Sequence, residues 1–80
     1  MTTTFYVRTQ YDGKDHRSVE EIYFYDEDGE EQVDQRITEL CIDITTCADQ
    51  GVDTWFFIRE QVEVRLMKAG IPYHEVQFEE

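Results

Sequence analysis

The chain has 80 residues, with 40% hydrophobic and 14% aromatic side chains and a formal net charge of −12 from 19 acidic and seven basic residues. This length predicts one domain with a small core and argues against a deep active-site cavity, while the apolar content argues against disorder. So few Lys and Arg argue against binding to nucleic acid or an anionic membrane, and the charge favours a positively charged protein surface as partner.

The first third of the chain predicts a β-hairpin. Residues 5–11 and 19–25 each alternate between apolar and polar side chains, as half-buried strands do. The connection between them is short and polar, with an Asp-Gly turn at residues 12–13, so antiparallel pairing is expected. In the second strand Ile22 and Phe24 share one face. The opposite face of that strand carries Glu21, Tyr23 and Tyr25.

The segment over residues 20–34 has carboxylates at eight of its fifteen positions and no basic residue. Within it the DEDG sequence at residues 26–29 resembles part of a calcium-binding EF-hand loop. The first and last ligand positions of that loop would fall on Phe24 and Gln35, which do not fill these roles. We therefore predict a turn with Gly29 at positive φ, and no calcium site.

An amphipathic helix is expected to begin at Val33, because apolar side chains recur from there to Ala48 at about 3.6 residues per turn. Asp34 lies near its start, where the helix dipole favours a negative charge. A strand remains the alternative in this segment, because Ile42, Ile44, Thr45 and Thr46 are β-branched and Leu40, Ile42 and Ile44 also alternate.

A second helix is predicted over residues 54–69, with Asp53 as its N-cap and Gly70 at its C-terminal end. One apolar stripe is expected to face the sheet and consists of Trp55, Ile58, Val62, Leu66 and Ala69. Phe57 and Val64 lie on the opposite side of this helix. They either pack against the first helix or form a homodimer or another partner contact.

A last strand is expected over residues 73–78, where polar and apolar side chains alternate again. The predicted order of elements is therefore β-β-α-α-β. This order gives an α+β fold with a three-stranded antiparallel sheet and two helices packed on one face, in a single acidic domain over residues 1–80. The sequence leaves the neighbour of the last strand open.

No set of residues predicts catalysis, a cofactor or a metal. His16, His74, Cys41 and Cys47 lack zinc-ligand spacing, and nothing places a nucleophile beside a histidine and a third orienting group. Both cysteines are expected to be reduced thiols at the edge of the core. The chain shows no secretory signal pattern and no apolar stretch of about 20 residues, so we expect a cytoplasmic protein without a membrane span.

The acidic side chains remain as candidates for a binding surface. Between Ser18 and Ile58 there are twelve acids and one base, Arg36. Opposite the Lys and Arg of a nucleic-acid-binding protein, they would accelerate encounter in a salt-dependent way, and tyrosines among them would add specificity. The other interpretation is that these charges form a solvated surface that only keeps the protein soluble. The predicted partner-binding residues are Glu20, Glu21, Tyr23, Tyr25, Asp26, Glu27, Asp28, Glu30, Glu31, Asp34, Glu39 and Asp43.

In size, acidity and α+β pattern the chain resembles small phage-encoded inhibitors, among them anti-CRISPR proteins and DNA mimics, and YDEDGEE at residues 25–31 is a segment of the kind they expose. The resemblance implies a non-catalytic inhibitor in the host cytoplasm. Such a protein blocks the basic nucleic-acid-binding surface of a target, for example a CRISPR effector or a nuclease. The alternatives are an immunity protein or antitoxin that neutralises a basic nuclease toxin, and a small dimeric regulatory module.

Overall fold

The structure, a computed structural model, describes residues 3–11, 16–47 and 53–78. These residues form, in chain order, β1 (Thr4–Tyr11), β2 (His16–Tyr25), β3 (Glu31–Val33), α1 (Gln35–Cys41), β4 (Thr45–Cys47), α2 (Asp53–Lys68) and β5 (Glu75–Phe78). The five strands pair in the order β3-β2-β1-β5, and β4 also pairs with β2. The described residues therefore form an α+β fold with two helices and a mixed sheet, which confirms the predicted class.

The predicted hairpin of β1 and β2 is confirmed, with antiparallel pairing that puts Val7 opposite Ile22. It contains a β-bulge at which the register skips Glu20. The extra residue lets Val19 and Ile22 share the buried face although they are three positions apart. The turn expected at residues 12–13 lies outside the described residues.

The direction of the last strand differs from the prediction. β5 runs parallel to β1, with Val76 beside Phe5, so the expectation of three antiparallel strands is wrong. β4 and β5 point the same way, because β4 is antiparallel to β2, β2 is antiparallel to β1, and β1 is parallel to β5. Strands of equal direction need a crossover connection, which α2 supplies.

The first helix is shorter than predicted, and strands flank it on both sides. β3 pairs with the end of β2 and β4 with its beginning, so α1 interrupts one edge of the sheet. Asp34 is the N-cap of α1, and its carboxylate accepts a hydrogen bond from the amide of Ile37 at 3.0 Å. The strand alternative is correct for Thr45–Cys47, where β-branched residues favour the extended form. Ala48 lies outside the described residues.

Both helices pack on one face of the sheet. α2 forms where it was predicted, and Gly70 follows it with a φ of 71°. Its predicted inner stripe is buried at Ile58, Val62 and Leu66. The shared core consists of Phe5, Val7, Val19, Ile22, Ile37, Cys41, Ile44, Ile58, Val62, Leu66 and Val76.

The two cysteines lie in different elements, Cys41 in α1 and Cys47 in β4, and not on one helix as expected. Cys41 is a free thiol with no exposed surface, so it belongs to the core and not to its edge. Burial raises the pKa of this thiol to about 11. The side chain of Cys47 lies outside the described residues.

Candidate functional site

The sheet face opposite the helices carries the tyrosine cluster, which consists of Tyr6, Tyr23 and Tyr25. Tyr6 stacks on Tyr23 with ring centroids 5.5 Å apart and meets Tyr25 edge-on at 5.2 Å. The hairpin register explains this contact, because Tyr6 lies opposite Tyr23 and Tyr25 follows two positions later on the same face. Tyr23 is 1% exposed and Tyr25 is 39% exposed. Of these two predicted contact residues, Tyr25 therefore offers surface to a partner, and Tyr23 supports it.

Arg8 lies on the same sheet face as the tyrosine cluster and offsets part of the negative charge of that face. Its guanidinium lies 4.5 Å from the centre of the Tyr23 ring and pairs with the carboxylates of Glu21 and Glu31, at 3.0 Å in the case of Glu31. The hydrogen bond to Glu31 is the main reason that the pKa of Arg8 is raised. Glu21 and Glu31, both predicted to bind a partner, thus already have a cationic partner within the protein.

β2 and β3 are connected by the acidic turn, which consists of Asp26, Glu27, Asp28, Gly29 and Glu30. The Oδ1 atom of Asp26 accepts hydrogen bonds from the amides of Asp28 and Glu30 at 2.9 and 3.0 Å, and its Oδ2 accepts one from Gln32 Nε2 at 2.9 Å. These bonds, above all the one from the Glu30 amide, lower the pKa of Asp26 from its ordinary value of 3.8. Gly29 has a φ of 79°, which confirms the predicted positive-φ position.

The other three acids of this turn, Glu27, Asp28 and Glu30, are exposed. Their carboxylates make no hydrogen bond or ion pair with any residue that the structure describes. Asp26 therefore fixes the backbone of the turn, and its three neighbours present unpaired negative charge to solvent.

The remaining predicted acids also divide into side chains with a partner inside the protein and side chains that are exposed. Asp34 caps α1, and Asp43 pairs with Arg65 at 2.7 Å, a contact that lowers the pKa of Asp43. Glu20, at the bulge, and Glu39, on α1, are exposed. Within the described part of the chain, five of the predicted acids thus lack an internal partner for their carboxylates, namely Glu20, Glu27, Asp28, Glu30 and Glu39.

A surface cleft of about 560 Å³ lies where the tyrosine cluster meets the acidic turn. It combines aromatic rings with carboxylates and is lined by Thr3, Thr4, Tyr6, Phe24, Tyr25, Asp26 and Glu27. Sequence reasoning missed it, because its two walls are about twenty positions apart in the chain. The hairpin register was the available signal, since it brings the start of β1 to the end of β2.

No protein-family model, curated protein or solved structure matches this chain. Among residues 3–11, 16–47 and 53–78, no helix is long and apolar enough to cross a membrane. The same residues contain no group of three His, Cys, Asp or Glu side chains that could hold a metal ion. The function is therefore inferred from the acidic turn and its surroundings.

A second exposed surface lies on α2. Phe56 and Met67 are 69% and 68% exposed, and Phe57 is 41% exposed. Val64, which was expected on a second apolar face with Phe57, is only half-buried. Phe57 also lines a small cleft of about 160 Å³ that contains Asp43, Ile44, Thr45, Gln61 and Arg65. The most exposed apolar residues of α2 are thus Phe56 and Met67.

Proposed function

We propose that this protein is a non-catalytic inhibitor that binds the basic nucleic-acid-binding surface of a target protein through its acidic turn. The observation that carries the proposal is a turn fixed by Asp26 that exposes three carboxylates without a partner among the described residues, on a chain with a net charge of −12. Such a turn attracts Lys and Arg and repels phosphate, so the partner is a protein and the chain itself binds no nucleic acid.

The order of the turn supports a binding role. Two backbone amides of the turn and the side chain of Gln32 donate to the Asp26 carboxylate, so the turn loses little conformational entropy when a partner docks. Tyr25, which is 39% exposed beside the turn, adds an aromatic contact of the kind that dominates specific interfaces. A CRISPR effector or a nuclease in the host cytoplasm suits this surface, in line with the inhibitors that the sequence resembles.

Two alternatives differ from this proposal in the partner. An immunity protein or antitoxin would use the same turn against a basic nuclease toxin, so the identity of the captured protein separates the two. A dimeric regulatory module would use α2 instead, and the exposure of Phe56 and Met67 favours that alternative. Its binding would not depend on the acidic turn.

The proposal is tested by capture from a bacterial lysate with three forms of the chain. The turn variant carries Glu27→Gln, Asp28→Asn and Glu30→Gln, and it keeps Asp26 and Glu31 because these two stabilise the fold. The control variant carries changes on α2 and β5, namely Glu60→Gln, Glu63→Gln and Glu75→Gln. Both variants lose three negative charges from the total of −12, so only the position of the charge differs.

We expect the wild-type chain and the control variant to capture a basic nucleic-acid-binding protein at about 0.1 M salt and to lose it at about 0.5 M, where the screening length is about half as long. The turn variant should not capture this protein at either salt concentration. Capture that is equal for all three forms and indifferent to salt would refute the proposal and favour the surface on α2.

A further inference from the structure

We infer that the cleft between the tyrosine cluster and the acidic turn receives an arginine side chain of the partner. This inference rests on the proposed function and adds the chemical group that is recognised. The cleft is lined by two tyrosines, Tyr6 and Tyr25, and by two acids, Asp26 and Glu27. A guanidinium stacks on aromatic faces and pairs with a carboxylate in the same plane, so this combination suits arginine.

The same sheet face already holds an arginine in this way. Arg8 lies 4.5 Å from the centre of the Tyr23 ring while it pairs with the carboxylates of Glu21 and Glu31. The neighbouring cleft is likewise lined by two tyrosines and two acids, and none of its described lining residues is Lys or Arg. We take the matching cation to be an arginine side chain of the partner.

The two carboxylates of the cleft are not equivalent. Asp26 already accepts three hydrogen bonds from within the protein, out of about four that a carboxylate can accept. Glu27 accepts none from the described residues. We therefore assign the direct ion pair with the incoming guanidinium to Glu27. We assign the stacking contact to Tyr25, which is exposed, whereas Tyr6, the other tyrosine of the cleft, is half-buried.

The test is an NMR titration of the isolated chain with N-acetyl-arginine methylamide, followed through the amides of Tyr25 and Glu27 and the ring of Tyr6. The matched probes are the citrulline compound, which has nearly the same shape without the charge, and the lysine compound. We expect saturable shifts with the arginine compound, weaker ones with lysine and none with citrulline. Equal shifts with lysine, or any saturable shift with citrulline, would overturn the assignment.

Two variants and a control locate the contact. Glu27→Gln and Tyr25→Leu should each weaken the binding of the arginine compound about two- to fivefold, as expected for exposed ion pairs and cation–π contacts. Glu60→Gln removes one exposed carboxylate from α2 and should leave the affinity unchanged. Equal weakening by Glu27→Gln and Glu60→Gln would show a general charge effect and overturn the inference, and this comparison stands even where Tyr25→Leu disturbs the fold.

The outcome also separates this inference from the proposed function. If the arginine compound does not bind while the turn variant still fails to capture the target, the acidic turn binds without the cleft. If the compound binds as expected while capture is indifferent to the turn, the cleft recognises arginine in another context and the proposed function fails.

Discussion

The hydroxyl of Thr38 in α1 bonds to both backbone polar groups of Ile22 in β2. The Ile22 amide donates to Thr38 Oγ1 at 3.0 Å, and the hydroxyl donates to the Ile22 carbonyl at 3.4 Å. Ile22 lies on the edge of β2 between the segments that pair with β3 and β4. The Ile22 carbonyl also accepts from the Asp34 amide at 3.0 Å, so the amide of Ile22 is the group whose hydrogen bond depends on α1. α1 thus satisfies a buried backbone donor of β2 and completes the edge next to the acidic turn.

Thr38→Val should therefore destabilise the protein by about 1–3 kcal/mol, because the substitution keeps the shape of the side chain but leaves the buried amide of Ile22 without an acceptor. Urea denaturation measures the change in the free energy of unfolding. The matched control is Thr45→Val at an exposed position, where a change below about 0.5 kcal/mol is expected. A loss for Thr38→Val as small as the one expected for the control would show that the contact between Thr38 and Ile22 contributes little.

Arg8→Gln should affect binding and stability in opposite directions. It removes the cationic partner of Glu21 and Glu31 and should cost less than about 1 kcal/mol of stability, since these ion pairs are partly exposed to solvent. The released carboxylates add negative charge beside the turn, so affinity for the basic target should rise about two- to fivefold. Isothermal titration calorimetry with the captured target checks this, and a fall in affinity would contradict it.

Arg65→Met tests the contact between the two helices through its pH dependence. Arg65 donates to the Leu40 carbonyl at 2.6 Å and pairs with Asp43, whose pKa it lowers from 3.8. A lowered pKa contributes stability above the ordinary value and loses that contribution as the pH falls through the lowered one. The melting temperature of the wild type should therefore exceed that of the variant at neutral pH, and the gap should narrow below about pH 4.

Arg59→Met is the control for that measurement, because Arg59 is an exposed arginine on the same helix. The melting temperature of the Arg59→Met variant should equal that of the wild type at all pH values. A gap between the wild type and Arg65→Met that does not narrow in acid would mean that the Leu40 carbonyl, and not Asp43, accounts for the role of Arg65.

Cys41 should resist thiol reagents while the protein is folded. Its pKa is raised from 9.0 to about 11, which lowers the thiolate fraction at pH 8 about 100-fold, and the side chain has no exposed surface. Alkylation with iodoacetamide in a Cys47→Ser background, followed by mass spectrometry, isolates this thiol. Equal rates for the folded chain and the urea-unfolded chain would contradict the burial of Cys41.

Local patterns were sufficient to predict much of the fold. The stripe of Ile58, Val62 and Leu66 predicted α2, and the position of Gly29 predicted the turn, because both depend on neighbouring residues. The segment after Val33 carries helical and alternating patterns together, so its division into α1 and β4 depends on the edge of β2, which is distant in sequence. The parallel direction of β5 was missed for a related reason. β5 points the same way as β4, to which α2 connects it, and β4 was not separated from the first helix in the sequence.

The candidate site was predictable in composition but not in its internal pairing. The acidic turn was recognised from its charge and its glycine. The pairing of Asp43 with Arg65 joins residues 22 positions apart, and that of Arg8 with Glu31 joins residues 23 positions apart. Such contacts are set by the tertiary fold, so the sequence alone could not separate carboxylates that stabilise the fold from those that remain unpaired.

The most direct test of the proposal is displacement of nucleic acid from the captured target. Labelled nucleic acid bound to the purified target is followed by fluorescence anisotropy while the chain is added. We expect the wild-type chain and the control variant on α2 and β5 to release the nucleic acid, and the turn variant with Glu27, Asp28 and Glu30 neutralised to leave it bound. Release by the turn variant at the same concentrations, or a ternary complex of wild-type chain, target and nucleic acid, would contradict the proposal.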